Sequence, residues 1–260
     1  MFRTIIISLF ISAISFANST SVIEGRVANI SINDLAELPN GHFALQLSHE
    51  GKSIATTLQR FYVTSTETKF VLGNINQKDT PFVFDPSKVT LLRSVADDQE
   101  QTHAVIAIYK EHVRGSIKLQ SGQTILLTNT DQTHAPAGRS PEIPLCGIEQ
   151  EKNTSTPRVL GSVNTPPNQF YRLKQAVETD YEYRALFEST EDAAAYVVLC
   201  FGLIHDVYLR DTNTHVELTY VRLWEDENDL FNQESPLNAF RNYWNENMQF
   251  VNRNLAQFFS

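Results

Sequence analysis

Residues 190–209 read TEDAAAYVVLCFGLIHDVYL, and they are apolar almost all the way round a helix. From Ala193 to Phe201 every residue is apolar, and Leu203 and Ile204 continue the run. A surface helix buries one stripe and leaves the rest to water. This one needs cover on most sides, so the fold must place other elements around it. Ser189 stands before it as an N-cap, and Asp192, three residues on, completes an approximate capping box.

The flanking segments are amphipathic in other periods. Tyr171 to Thr179 predicts a strand. HVELTYVRLW, from His215, predicts another, because Val216, Leu218 and Tyr220 alternate with His215, Glu217 and Thr219. Ser235-Pro236 opens a second helix with a cap and a proline at its first position. Leu237, Phe240, Trp244, Met248, Val251, Leu255 and Phe258 keep helical spacing, which predicts that this helix runs almost to Ser260. A strand–helix–strand–helix run should lead to another strand, and none is read here. Two strands and two apolar helices make a poor core. Residues 170–260 therefore read as an incomplete α/β subdomain.

Upstream the pattern is β. SVIEGRVANI, HFALQLS, SIATTLQRFYV, HAVIAIYK, RGSIKLQ and QTILLTN are short Val-, Ile-, Leu- and Thr-rich runs. Asn40-Gly41, Glu50-Gly51, Gly73-Asn74 and Ser121-Gly122 punctuate them as turns. Residues 18–130 thus predict a β-rich sandwich or barrel-like domain. Residues 131–169 are rich in Pro, Gly, Ser, Thr and Asn, and read as an extended linker. The fold class expected for the whole chain is α+β.

The N-terminus, MFRTIIISLFISAISFANS, has the form of a secretory signal peptide. Arg3 supplies the positive start, Thr4 to Ile14 the apolar core, and Ser15-Phe16-Ala17 the small residues of a cleavage site. The segment is too short for a membrane span. Cleavage near Ala17 and a secreted or periplasmic destination are expected. The formal charge is −9 with no basic stripe, which argues against nucleic acid or an anionic membrane surface as the partner.

Seven histidines offer candidate chemistry, but none pair at metal-binding spacing. His49-Glu50 begins like HExxH, yet position 53 is Ser. His205, on the apolar helix, reads as a hydrogen-bonded core residue. His103 and His112 flank a hairpin and read as surface. GxSxG is absent. Glu225-Asp226-Glu227 and Asp229 read as a solvated acidic loop, because they lack the alternating spacing of a calcium loop. The chain has two cysteines, Cys146 and Cys200. Cys200 reads as a core thiol. Cys146 lies in PEIPLCGIE, where prolines and a glycine argue for exposed, extended backbone. A thiolate there is a soft zinc ligand that can fill the open position of a protease metal site and silence it.

Pro144-Leu145-Cys146-Gly147-Ile148 resembles the cysteine switch of metzincin propeptides. It is similar to the Pro-x-x-Cys-Gly-Val form of the adamalysin-like (reprolysin-like) zinc metalloendopeptidases, with one residue fewer between Pro144 and Cys146 and Ile148 in place of Val. YRLKQAVETDYEYRALFES, AAAYVVLCFGLIHDVYLRDTNTHVELTYVRLW and SPLNAFRNYWNEN resemble the first strand, first helix, second strand and next helix of the catalytic domain in secreted bacterial members. The resemblance implies the front of a zymogen: signal peptide, β-rich propeptide, switch linker and the start of a catalytic domain. It implies Cys146 as an inhibitory metal ligand, zinc in the complete family protein, and a protein or peptide substrate. The family's HExxHxxGxxH and Met-turn are absent from these 260 residues, so no catalytic residue carries over and no zinc is expected to be held by this chain alone. Cys146 then has as partner either a missing catalytic segment or another protease. The alternatives are a non-catalytic exported protein that binds or inhibits a protease, and an exported structural protein in which Cys146 and Cys200 form a disulfide.

Overall fold

The computed structural model describes residues 26–29, 35–38, 40–49, 52–75, 78–95, 102–119, 121–122, 124–128 and 169–260. The signal-peptide segment, residues 131–168 of the linker and Cys146 lie outside the described residues. The architecture is mixed α+β, with two sheets.

Among the described residues the first part of the chain forms ten strands. They are β1 (Arg26–Asn29), β2 (Leu35–Glu37), β3 (His42–His49), β4 (Lys52–Phe61), β5 (Thr64–Leu72), β6 (Thr80–Pro81), β7 (Val89–Ser94), β8 (His103–Tyr109), β9 (His112–Lys118) and β10 (Thr124–Thr128). Eight of them make one sheet in the order β1-β10-β9-β8-β7-β4-β3-β2. Neighbours are antiparallel except β1 and β10. Gly41 (φ +75°) and Gly122 (φ +81°) occupy left-handed turn positions that a side chain would strain. These are two of the turns expected from Asn40-Gly41 and Ser121-Gly122.

Strand β8 explains its own run of apolar residues. Ala104 and Ile106 join a cluster with Leu45, Leu58, Leu92, Ile117 and Ile125 on one face. That cluster draws on six strands. Val105, Ala107 and Tyr109 face the other way, into a second and larger cluster. Both faces of β8 are buried, which removes the apolar–polar alternation a half-exposed strand would show.

The second part contributes β11 (Tyr171–Thr179), α1 (Tyr181–Ala185), α2 (Thr190–Thr212), β12 (Thr214–Leu223), α3 (Pro236–Glu246) and β13 (Leu255–Phe259). Residues 255–259 are thus a strand, not the end of a helix. The α3 helix stops at Glu246, where the weak helix formers Asn245 and Asn247 flank it, and Asn247 caps it. Met248 and Val251 remain buried from the loop beyond. The expected further strand exists: β13 lies parallel to β11.

The second sheet has the order β13-β11-β12-β5-β6. Two of its strands therefore come from the first part of the chain, and the sheets do not divide where the composition changes. The chain leaves β4, passes Tyr62 and Val63, and enters the other sheet as β5. There β5 runs parallel to β12, with Phe70 opposite Val221 and Leu72 opposite Leu223. Leu218 N donates to Val63 O at 2.7 Å at the start of this edge, and Gly73 N to Leu223 O at 2.8 Å at its end.

Helix α2 lies between the two sheets, against β12 on one side and β7 and β8 on the other. This covers most sides of the helix, as its sequence demands, and leaves a stripe through Tyr196 and Val207 open to solvent. By length and hydropathy it is the one described helix that qualifies to cross a membrane, and its place is in the core. Ser189 Oγ accepts from Asp192 N at 3.1 Å, as the capping box predicts. Asn213 ends the helix at φ +51°, donating back to Leu209 O. At Gly202 the helix comes so close to β7 that an added Cβ would stand 2.6 Å from Leu91 Cδ2. Ala193, Val197, Phe201, Phe61, Phe70, Leu91, Val105 and Leu218 all belong to this shared cluster. Each large side chain fully buried there contributes about 1.5–3 kcal/mol. A third cluster packs α3 and β13 on the far face of the second sheet.

Candidate functional site

Polar chemistry concentrates at the carboxyl ends of β11 and β12. In open parallel sheets this end is where ligands bind. Glu178 and Arg222 are cross-strand neighbours in register, so they share the α3 face of the sheet. Both are almost fully buried, at 0% and 1% exposure.

Their hydrogen bonds form a closed set. Trp224 Nε1 donates to Glu178 Oε1 at 2.6 Å, and Trp244 Nε1 donates to Oε2 at 2.7 Å. Arg222 Nη1 stands 3.3 Å from both carboxylate oxygens. On its other side Arg222 donates through Nε and Nη2 to Asp79 Oδ1, at 3.0 and 2.8 Å. Tyr220 OH donates to Asp79 Oδ2 at 2.7 Å. The guanidinium is stacked over Trp224 at 4.6 Å and Tyr243 at 5.1 Å, so its faces are covered too. One arginine thus ties β11, β12 and the turn before β6 together.

Burial dominates the electrostatics. It pushes the Glu178 carboxyl up to about 7, against the pull of Arg222 and the two indoles. Burial draws the Arg222 guanidinium down, and the facing Glu178 and the bonds to Asp79 more than offset it, holding it above its ordinary value. Both Glu178 oxygens are already engaged, so the arrangement fixes strand ends and indole orientations.

A pH dependence follows with a definite sign. The folded chain holds the Glu178 proton between the ordinary 4.5 and about 7, where the unfolded chain has released it. Stability from this group is therefore full below pH ~4.5 and falls as pH rises through ~7, by roughly 3 kcal/mol at ~1.4 kcal/mol per pH unit. His205 and His215 are held below their ordinary value by burial and act in the opposite sense, losing stability as pH falls below about 6.5. The difference in unfolding free energy between the natural chain and Glu178→Gln, measured from pH 4.5 to 8, isolates the carboxyl. A difference independent of pH would overturn this assignment.

His112 is exposed, as read from the sequence, whereas His205 and His103 lie in the core and between the sheets. His205 is buried, with Nδ1 2.9 Å from Val216 O and 3.2 Å from Val216 N, and its ring stacks on Phe61 at 5.3 Å. This is the hydrogen-bonded core residue expected from the sequence. His103, read as a surface residue, instead places Nε2 2.7 Å from Oδ2 of the buried Asp206 on α2. Cys200 lies on α2, and apolar burial pushes its thiol up to about 12, so it is protonated and inert at neutral pH.

The acidic run after β12 is only partly solvated. Glu225 accepts a hydrogen bond from Thr190 Oγ1. Asp229 is buried and accepts from the backbone N–H groups of Tyr181, Phe231 and Asn232 at 2.6–2.9 Å, so it holds backbone and not calcium. Among the described residues no group of three or more His, Cys, Asp or Glu side chains is placed to hold a metal ion. They do not fit a zinc ion, and the one predicted metal ligand, Cys146, lies outside them.

Sequence reasoning missed the Glu178–Arg222–Asp79 network. Half a signal existed: Arg222 in YVRLW keeps the alternation of Val216, Leu218 and Tyr220 and so falls on the face read as buried, whereas Glu178 alternates with Arg172 and Lys174 and gave no sign of burial. No protein-family model matches the chain, and no curated protein matches it.

Proposed function

We propose that this chain is the N-terminal portion of a secreted zinc metalloendopeptidase zymogen of the adamalysin-like group. The observation that carries the reading is the run from Tyr171 to Asn247. Its sequence resembles the start of that group's catalytic domain, and its elements follow the implied order as β11, α2, β12 and α3. The Pro144–Ile148 motif and the signal-peptide form of residues 1–17 support it. In this reading residues 18–130 are propeptide, and Cys146 is the inhibitory ligand of a zinc held by residues outside these 260. The protein is exported, with cleavage near Ala17.

No catalytic step is assigned to residues of this chain. Purified alone, it is expected to hydrolyse no protein substrate, with or without a chelator. The deciding test is the coding DNA beyond Ser260, read in all three frames. HExxHxxGxxH within roughly a hundred residues is the expected result. Its absence from every frame overturns the reading and leaves a non-catalytic exported protein that binds or inhibits a protease.

A further inference from the structure

We propose that the two parts of the chain on either side of residues 131–168 form a non-covalent pair that survives a cut between them, with β5 serving as a donated strand in the partner's sheet. Four observations carry this. First, β5 supplies backbone pairing along the edge of β12, bracketed by Leu218 N–Val63 O and Gly73 N–Leu223 O at 2.7 and 2.8 Å. Main-chain pairing at a sheet edge is a recognised mode of binding between separate chains. Second, the largest apolar cluster is shared: Phe61, Phe70, Leu91 and Val105 from one side meet Val197, Phe201 and Leu218 from the other. Third, the buried Arg222 reaches Asp79 across the same boundary. Fourth, the amino end of α2 is tied to the first sheet by Lys88–Glu191 and Lys110–Asp192 at 2.6 and 2.5 Å, and its far end by His103–Asp206.

A peptide bond broken between 131 and 168 removes none of these contacts. The cut costs the pair only the effective concentration that the connection provides. Without β5 and the first sheet, the carboxyl part would expose one edge of β12 and one side of α2. The inference stands apart from the metalloendopeptidase reading. Joined to it, it means that a cut in the linker leaves the propeptide seated, and that release requires a second event that destroys or displaces residues 18–130.

The test places a recognition sequence for a site-specific protease after Gln150 of the full chain. The chain is cut in native buffer, then analysed by size-exclusion chromatography and native mass spectrometry at micromolar concentration. One species holding both fragments in equal number is expected. Two separate species, or an aggregated carboxyl fragment with a free amino fragment, overturn the proposal. Gly202→Leu, which drives a side chain against Leu91, is expected to speed fragment exchange about tenfold, equivalent to ~1.4 kcal/mol. Leu91→Ala opens the same contact from the other side and should speed exchange in the same direction. Exchange rates unchanged in both variants would show that the α2–β7 contact does not hold the fragments together. Separation of the fragments would leave the zymogen reading standing. A coding sequence without the zinc motif would leave the pairing standing.

Discussion

At pH 8, above the Glu178 value, Arg222→Met is expected to lower the unfolding free energy by about 3–5 kcal/mol, the usual cost of removing one partner from a buried ion pair. Methionine keeps most of the apolar stem and the contact with Trp224 and Tyr243. What is lost is the charge that faces two carboxylates. Glu178, with no exposed surface, would be left with two indole donors and no counter-ion. Asp79 would keep Tyr220 alone. Removing the second charge should recover part of the loss. Glu178→Gln is therefore expected to cost less on the Arg222→Met background than on the natural chain. Denaturant titration of the four proteins gives the coupling energy. A value under about 0.5 kcal/mol would mean that the pair behaves as independent sites and that the geometry has been misread.

Phe70→Ala is expected to cost about 3–5 kcal/mol, as aromatic truncations in cores do. Its ring is buried, lies tilted against Phe84 with centroids 4.7 Å apart, and packs in the cluster that covers α2. The more telling result is where the effect is seen. The chain has two tryptophans, Trp224 and Trp244, and both follow residue 169. Phe70 precedes the linker by many residues. If the halves share one core, truncating Phe70 moves the unfolding transition seen by tryptophan fluorescence, and moves it together with far-ultraviolet circular dichroism. A fluorescence midpoint that stays put while the dichroism shifts would establish two independent domains and sink the shared core.

Much of the local structure was legible because local chemistry determines it. The Ser189 cap, the Asn40-Gly41 and Ser121-Gly122 turns, and the strand from Tyr171 to Thr179 depend on residues close in sequence. The all-round apolarity of α2 correctly demanded cover, but could not say what supplies it. The answer turns on β5, which the sequence hides. TSTETK is polar, and only Phe70 and Val71 of the strand are buried. Its partner lies far away, with Thr68 Oγ1 donating to Leu218 O across 150 residues. The stretch from Met248 to Phe258 misled for a different reason. Helical spacing records which residues are buried, and here a loop and a strand bury residues at the same intervals. The Glu178–Arg222 pair needed the register of β11 on β12 before its meaning could be read.

The passage of the chain from β4 into β5, through Tyr62 and Val63 alone, also sets an order of events in folding. Synthesis delivers the amino-terminal strands first. The first sheet can pack its own cluster at once, since β3, β4 and β7 to β10 are near neighbours in sequence. Strand β5 cannot. It can pair early with β6 on one edge, but its other edge lies unmatched until β12 arrives. Long-range pairing of this kind slows folding, because the entropy of closing the loop is lost before any contact rewards it. The slow step of this protein is therefore expected to be the docking of β12 and α2 onto a template that has been ready for some time.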